Sequence, residues 1–398
     1  MEKQWVKIPE VLFFQEGPGV RNTQYTTEGV KLLNVANLVD GKVDLSTSDR
    51  YISKEDAYGK YKHFLCDAGD LIVASSGIKV EYIDKKMGFI DEAMLPLCMN
   101  TSTIRFKVLD EKQLKIRYFM YYLKSQHFKS QLSKYITGSA QLNYGPSHLS
   151  KMIVPLVSVH EQIGIISILD KVQHIIDVRQ QQLQKLDELV KARFVELFGD
   201  PFIEDDRYPR VPLGSLAEVG SSKRIFEKEY VSEGIPFYRT KEIVELSKGN
   251  RITTELFITK ERYDEIRSEY GVPQKGDLLI SAVGTIGVIW IVDGKNDFYF
   301  KDGNLLRVSA TEKFVPEYLK HLLEALISAY KSEMSSGTAY AALTISALKE
   351  MMVYDVPHAE QEQFATFVEQ ADKSKVAVQK ALDKAQLLLD SLMQKYFG

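Results

Sequence analysis

The chain repeats itself at an offset of 199 residues. Gly138-Ser139-Ala140, Leu149, Met152, Val154 and Glu161-Gln162 in the first half return as Gly337-Thr338-Ala339, Leu348, Met351, Val353 and Glu360-Gln361 in the second. The offset persists to the ends of the two halves, where Phe198-Gly199 becomes Phe397-Gly398. A period this long means two copies of one folding unit, each with its own core, and 398 residues suffice for two such domains. Two similar units also suit a target with two similar parts.

Charge gives no simple answer about that target. The whole chain carries a net charge of −3, which does not by itself mark a nucleic-acid binder. The halves differ, however. Residues 1–155 carry a net +4 and residues 201–356 a net −4. If both units touch DNA, the second must do so through a local basic face around Lys223, Arg224, Arg239 and Lys241. The N-terminal stretch MEKQWVKIPE lacks the apolar core of a signal peptide, so a cytoplasmic protein is expected. Cys66 and Cys98 are too few for a disulfide framework or a thiolate zinc site, and the histidines lack metal-ligand spacing.

Each half shows the same order of elements. A Gly-flanked apolar segment (29–38; 234–243) precedes a Gly-Asp run into β-branched residues (69–77; 276–287), which reads as strand, turn and strand. A further strand (101–108; 303–310) leads to an amphipathic helix near 115–134 and 316–334, then a Gly-containing loop, a short strand and a final long helix.

The final helices carry the clearest periodicity. Leu169, Val172, Ile176, Leu183, Leu186 and Val190 form an apolar seam at alternating spacings of three and four, broken at Arg179 and Arg193. Val368, Val378, Leu382, Leu389 and Leu392 continue it in the second helix, broken at Lys375. A seam of this length is a coiled-coil signature. Because the first helix delivers the chain to the second domain, the second helix must return, and the pair is expected to be antiparallel. The expected fold is therefore α+β: two similar domains joined by two long helices in an antiparallel coiled coil, with a pseudo-two-fold internal repeat. The expected boundaries are 1–157, a spacer helix 158–199, a second domain 200–357, and a second spacer 358–398.

With these elements the chain resembles the specificity subunits of type I restriction–modification systems. The resemblance rests on Gly276-Asp277 with Gly284-Thr285-Ile286-Gly287, on the element from Gly234 to Ile243, and on the duplicated Gly-Ser/Thr loop, short strand and Glu-Gln. It covers nearly the whole chain. The first half departs from it with SSGIKV in place of GTIG, and the second with Tyr340 opposite Gln141. The resemblance implies two target-recognition domains that read a split double-stranded DNA site. It also implies a helical scaffold docking two modification (methyltransferase) subunits, with restriction/translocase subunits joining them. No cofactor is expected in this chain. S-adenosylmethionine, ATP and Mg would serve the partner subunits. The sequence itself contains no methyltransferase tetrad and no phosphate loop, which favours recognition over catalysis. A stand-alone nucleic-acid enzyme and a protein scaffold are the competing readings.

Candidate DNA contacts lie in the loops, and each has a structural alternative. Asn34 and Asn37, and Arg239, Thr240 and Lys241, follow the Gly-flanked strand. Asn and Arg can bond adenine and guanine edges in pairs, or equally close turns and ion pairs. Gln141, Asn143 and Tyr144, with Thr338 and Tyr340 opposite, occupy the Gly-rich loop. Lys79, Lys223 and Arg224 suit phosphates. Ser75, Ser76 and Thr285 stand in tight turns, where turn chemistry alone explains them.

Overall fold

The computed structural model describes residues 3–135, 143–203, 207–309, 312–334 and 342–398. The chain divides into two units. The first comprises residues 1–179 and 381–398, and the second residues 180–380. Each long helix, Val159–Phe198 and His358–Phe397, is thus shared out, one part to each unit.

The repeat in the sequence is a repeat of every major sheet. In the first unit a four-stranded antiparallel sheet runs Leu12–Glu16, Thr103–Val108, Leu71–Ala74, Met87–Phe89. In the second the same order is built by Glu218–Gly220, Leu305–Ser309, Leu278–Ser281 and Ile289–Ile291. The strands Leu71–Ala74 and Leu278–Ser281 are buried along their whole length, which is why they read as apolar runs, with Ser281 closing the second. A three-stranded sheet centres on Val30–Leu33 in one unit and Ile235–Tyr238 in the other, each with one parallel and one antiparallel neighbour. A two-stranded pair completes each unit: Gln4–Lys7 with Ile153–Leu156, and Arg210–Pro212 with Met352–Tyr354.

The frame residues do the same work twice. Asp70 Oδ2 accepts the Asp67 backbone N–H at 2.9 Å, and Asp277 Oδ2 accepts that of Gln274 at 2.9 Å. Each then faces an arginine from the adjacent strand, Arg105 at 3.4 Å and Arg307 at 3.9 Å. The Gly-Asp element is therefore a strand-entry clamp. Gln162 and Gln361, both fully buried, close a second clamp. Gln162 accepts the Lys115 N–H at 2.9 Å and donates to the carbonyls of Gln113 (2.8 Å) and Val157 (3.0 Å). Gln361 accepts the Val315 N–H at 2.8 Å and donates to those of Val356 (2.8 Å) and Lys313 (3.3 Å). One amide satisfies the start of one helix and the approach to another, groups that would cost roughly 1–3 kcal/mol each if left buried and unpaired.

Within each unit the parts of the two long helices run in opposite directions. In the second unit Phe198 packs on Phe364 with ring centroids 5.7 Å apart, while farther back Asp187 meets Lys375 at 2.7 Å. The polar break in the seam at Lys375 is thus met by a carboxylate. In the first unit Val172 and Ile176 pack with Leu382, Ala385, Leu389 and Leu392, and Tyr396 and Phe397 join the core that holds Leu169. Leu169, Val172, Ile176, Val190 and Val368 are buried; Leu183, Leu186, Val378, Leu382, Leu389 and Leu392 are half-buried. Each unit is closed by the terminal phenylalanine of the other copy's helix. Phe198 meets Tyr318 at 4.8 Å, and Phe397 meets Tyr118 at 5.0 Å. Gly398 lies beside the start of the chain, its carbonyl accepting from Lys3 Nζ at 3.1 Å.

Two expectations needed correction. The helix expected near 115–134 is two helices, Ile116–Lys124 and Gln126–Tyr135. Ser125 breaks it by turning extended and accepting the Phe128 N–H on its hydroxyl at 3.2 Å, an N-cap in mid-sequence. The strand–turn–strand at 69–77 is tight only in the second half. There Gly287, at φ +86°, brings the chain so close to Ile327 that an added Cβ would lie 2.7 Å from its side chain. In the first half a 3-10 turn, Val80–Lys85, is interposed before the returning strand.

His321 lies on the helix Pro316–Met334, its ring edge-on to Phe364 at 5.4 Å and Nδ1 3.5 Å from Glu324. Burial holds its pKa down to about 4, with Lys320 and Lys375 adding to the effect against Asp372 and Asp187. A depressed histidine pKa means that the unfolded chain binds the proton first. The stabilisation is complete above pH ~6.5 and is lost as pH falls towards ~4, by up to ~3 kcal/mol. Urea denaturation at pH 7 and 4.5 should show a steeper acid loss for the parent than for His321→Gln. Equal losses would contradict this.

Candidate nucleic-acid interface

The loops singled out in the sequence converge within each unit. In the first, Ser76 pairs with Asn143 in an isolated β-bridge and the Tyr144 N–H donates to the Ser75 carbonyl at 3.0 Å. In the second, Val283 pairs with Ala342 and the Leu343 N–H donates to the Ala282 carbonyl at 2.9 Å. The sheet turn and the Gly-rich loop therefore form one surface feature, built twice on the same frame. Gln141, Thr338 and Tyr340 fall outside the described residues.

Three of the candidates are frame, not surface. Asn37 is fully buried; its amide donates to the Asp44 carbonyl at 3.1 Å and its oxygen accepts the Asn34 N–H at 2.9 Å. Glu242 does the same for Arg239 in the second unit, accepting its N–H at 2.9 Å. The shared element after the Gly-flanked strand is thus a capping arrangement, in which the side chain three residues on closes the turn. Ser75 is buried beneath the sheet turn, its hydroxyl 3.5 Å from Glu16. Tyr144 is buried as well, its hydroxyl without a hydrogen-bond partner among the described residues and its pKa pushed up by desolvation. None of the three side chains can reach a DNA groove from there.

The others occupy reachable positions in different states. Asn34 is half-buried, with its oxygen accepting from Asn100 Nδ2 at 2.8 Å and its amide donating to the Leu32 carbonyl at 3.1 Å. The Ser76 hydroxyl donates to Ser102 at 2.6 Å. Asn143, Lys79 and Thr285 are exposed. In the second unit the candidate cations are largely matched by carboxylates: Arg224 with Asp302 at 2.8 Å, Arg239 with Glu242 at 3.1 Å, and Lys241 with Glu242 at 3.5 Å. Lys223 stacks over the Tyr270 ring at 4.7 Å, and Thr240 is half-buried. Sequence reading missed Tyr82 and Lys85, exposed on the turn that only the first unit carries; the unequal spacing between the paired strands was the available signal.

Among the described residues no group of His, Cys, Asp and Glu side chains is placed to hold a metal ion. Burial pushes the thiols of Cys66 and Cys98 up to about 12, so both stay protonated and unreactive near neutrality. No helix of the described residues is long and apolar enough to cross a membrane.

The duplicated frame matches a known sequence profile twice. That of the type I restriction modification DNA specificity domain fits residues 21–188 and again residues 207–387, most of the chain. The chain belongs to the type I restriction–modification specificity subunit family. It is a DNA-recognition subunit, and the family's role in the complex is recognition, not catalysis. A Haemophilus influenzae protein named as a type I restriction enzyme specificity subunit is 25% identical over 292 residues, 72% of this chain and 71% of that protein. The MjaVIII specificity subunit of Methanocaldococcus jannaschii is 26% identical over 190 residues, 47% of this chain and 43% of that one. The fold agrees. The S subunit from M. genitalium superposes with a TM-score of 0.55 at 17% identity, covering 100% of this chain and 96% of that one. A chain from a type I R-M structure describing complex assembly and conformational transition gives 0.58 at 15% identity, covering 99% and 97%.

Proposed function

We propose that this specificity subunit reads a DNA site in two separated parts, one for each unit, and docks two modification subunits on its long helices. One observation carries the reading: the whole frame is duplicated while the surface loops differ. The Gly-Asp clamps, the buried glutamines and the sheet order are common to both units. The turn after the paired strands and the segment after the capping turn are not. Common supports with unlike loops favour two different short sequences over one sequence read twice. The exposed apolar side chains of the long helices, among them Ile168, Ile175, Leu189, Val376 and Leu388, support their use as a docking surface. S-adenosylmethionine, ATP and Mg then belong to the partner subunits, which supply the methyl transfer and the restriction/translocase steps.

Selection from a random duplex pool tests this. The chain assembled with its modification subunit is expected to enrich two short elements at a fixed separation, with methylation of adenines in both. An enriched motif that is contiguous, or methyl transfer by the chain alone, would overturn the proposal.

A further inference from the structure

The first unit carries a surface device with no counterpart among the described residues of the second. It consists of two additions that lean on each other. One is the hairpin Leu38–Val39 with Lys42–Val43, and the other is the turn Val80–Lys85 between the strands Leu71–Ala74 and Met87–Phe89. The Gly41 N–H donates to the Lys85 carbonyl at 3.1 Å, and Lys86 Nζ donates to the Leu38 carbonyl at 2.7 Å. Gly88 lets them meet: a Cβ there would stand 2.8 Å from the Val43 backbone nitrogen. Where the second unit has its tight turn from Ser281 to Val288, with no charged side chain, the first presents Lys79, Tyr82 and Lys85 at the surface.

These groups differ from Arg224, Arg239 and Lys241, which carboxylates match. Lys79 and Lys85 form no ion pair among the described residues, and Lys85 Nζ lies 5.8 Å from the centre of the Tyr82 ring. Tyr82 is 49% exposed, so the ring orients the ammonium without removing it from water. Of the neighbouring carboxylates, Asp84 is held by Lys129 at 3.1 Å. Asp40 borders the same depression, of about 640 Å³, and Glu81 is exposed on the turn. The device adjoins the bridge between Ser76 and Asn143, where the recognition loops converge. The net +4 of residues 1–155 against −4 of residues 201–356 points the same way.

Resting on the DNA-recognition reading above, we infer that Lys79 and Lys85 hold DNA phosphates. The first unit thereby supplies a salt-sensitive part of the affinity that the second does not match. Lys86, tied to the Leu38 carbonyl, serves the frame. Phosphate contacts release bound counterions, so each steepens the fall of affinity with salt by ~0.9 in a double-logarithmic plot.

The test uses the full chain with its modification subunits and a random-sequence duplex, titrated across salt by fluorescence anisotropy. Lys79→Gln with Lys85→Gln should lower the slope by about 2, shrinking the loss of affinity between 50 and 200 mM salt by roughly tenfold. Glu81→Gln should raise affinity. Arg224→Gln with Lys241→Gln, both already matched by carboxylates, should lower the slope by much less. A double lysine variant that binds with the parental slope overturns this inference and leaves DNA recognition standing. A parental complex with no salt-dependent binding at all would instead remove the DNA reading beneath it.

Discussion

Replacing Phe198 with alanine is expected to destabilise the second unit by about 3–5 kcal/mol, although the residue is the last of the helix that leaves the first globular body. Its ring is fully buried among Phe194 (5.0 Å), Tyr318 (4.8 Å) and Phe364 (5.7 Å). Removing it opens a void walled by rings that cannot collapse far, the condition under which truncation is most costly. Phe397→Ala should act in the same way on the first unit, where its ring lies on Tyr118 (5.0 Å) and Tyr122 (6.0 Å). Hydrogen exchange reads the assignment directly. Phe198→Ala should shorten amide protection across 207–357 and Phe397→Ala across 3–135. If each variant loosened instead the body that its helix follows in sequence, the exchange of terminal aromatics between copies would be refuted.

Arg105→Met should cost the first unit about 3 kcal/mol, within the range for breaking one side of a buried charged network. The guanidinium donates to the carbonyls of Leu65 (2.7 Å) and His63 (2.9 Å) and to Gln15 Oε1 (2.5 Å), besides facing Asp70. All of these lose a donor together. Lys107 Nζ, 3.3 Å from Asp70, keeps the carboxylate from being left alone and holds the cost near the lower end. The equivalent Arg307 is farther from Asp277, so Arg307→Met should cost clearly less. Equal stability losses for the two variants in equilibrium denaturation would mean that the repeat is energetically symmetric at this site.

The frame was legible in the sequence because its signals are local or periodic. The Gly-Asp elements, the strand runs and the seam of the long helices each follow from spacing, and the repeat doubled every one of them. The candidate site was legible only as a place. Asn37 looks like a reader because asparagine suits both an adenine edge and a capping turn, and burial alone separates the two uses. Tyr144 and Ser75 carried the same two readings, and burial separates them for the same reason. In the second unit Glu242, three residues from Arg239 and next to Lys241, was an ion-pair partner that spacing offered, whereas Asp302, which matches Arg224, comes close to it only in space. The Ser125 break shows the reverse case, where a single hydroxyl outweighed an otherwise helical pattern.

The tip between the paired central strands is anchored in each unit where the chain enters it, before it begins to vary. Next to it the Ser75 N–H bonds the Ser102 carbonyl, and the Ala282 N–H that of Asn304, each at 2.8 Å. Chain added beyond those anchors does not shift the register below, so lengthening there costs mainly closure entropy, which rises slowly with length. A lineage can therefore trade one tip for another, short and glycine-bound or long and lysine-bearing, and acquire a new preference without refolding the body that carries it.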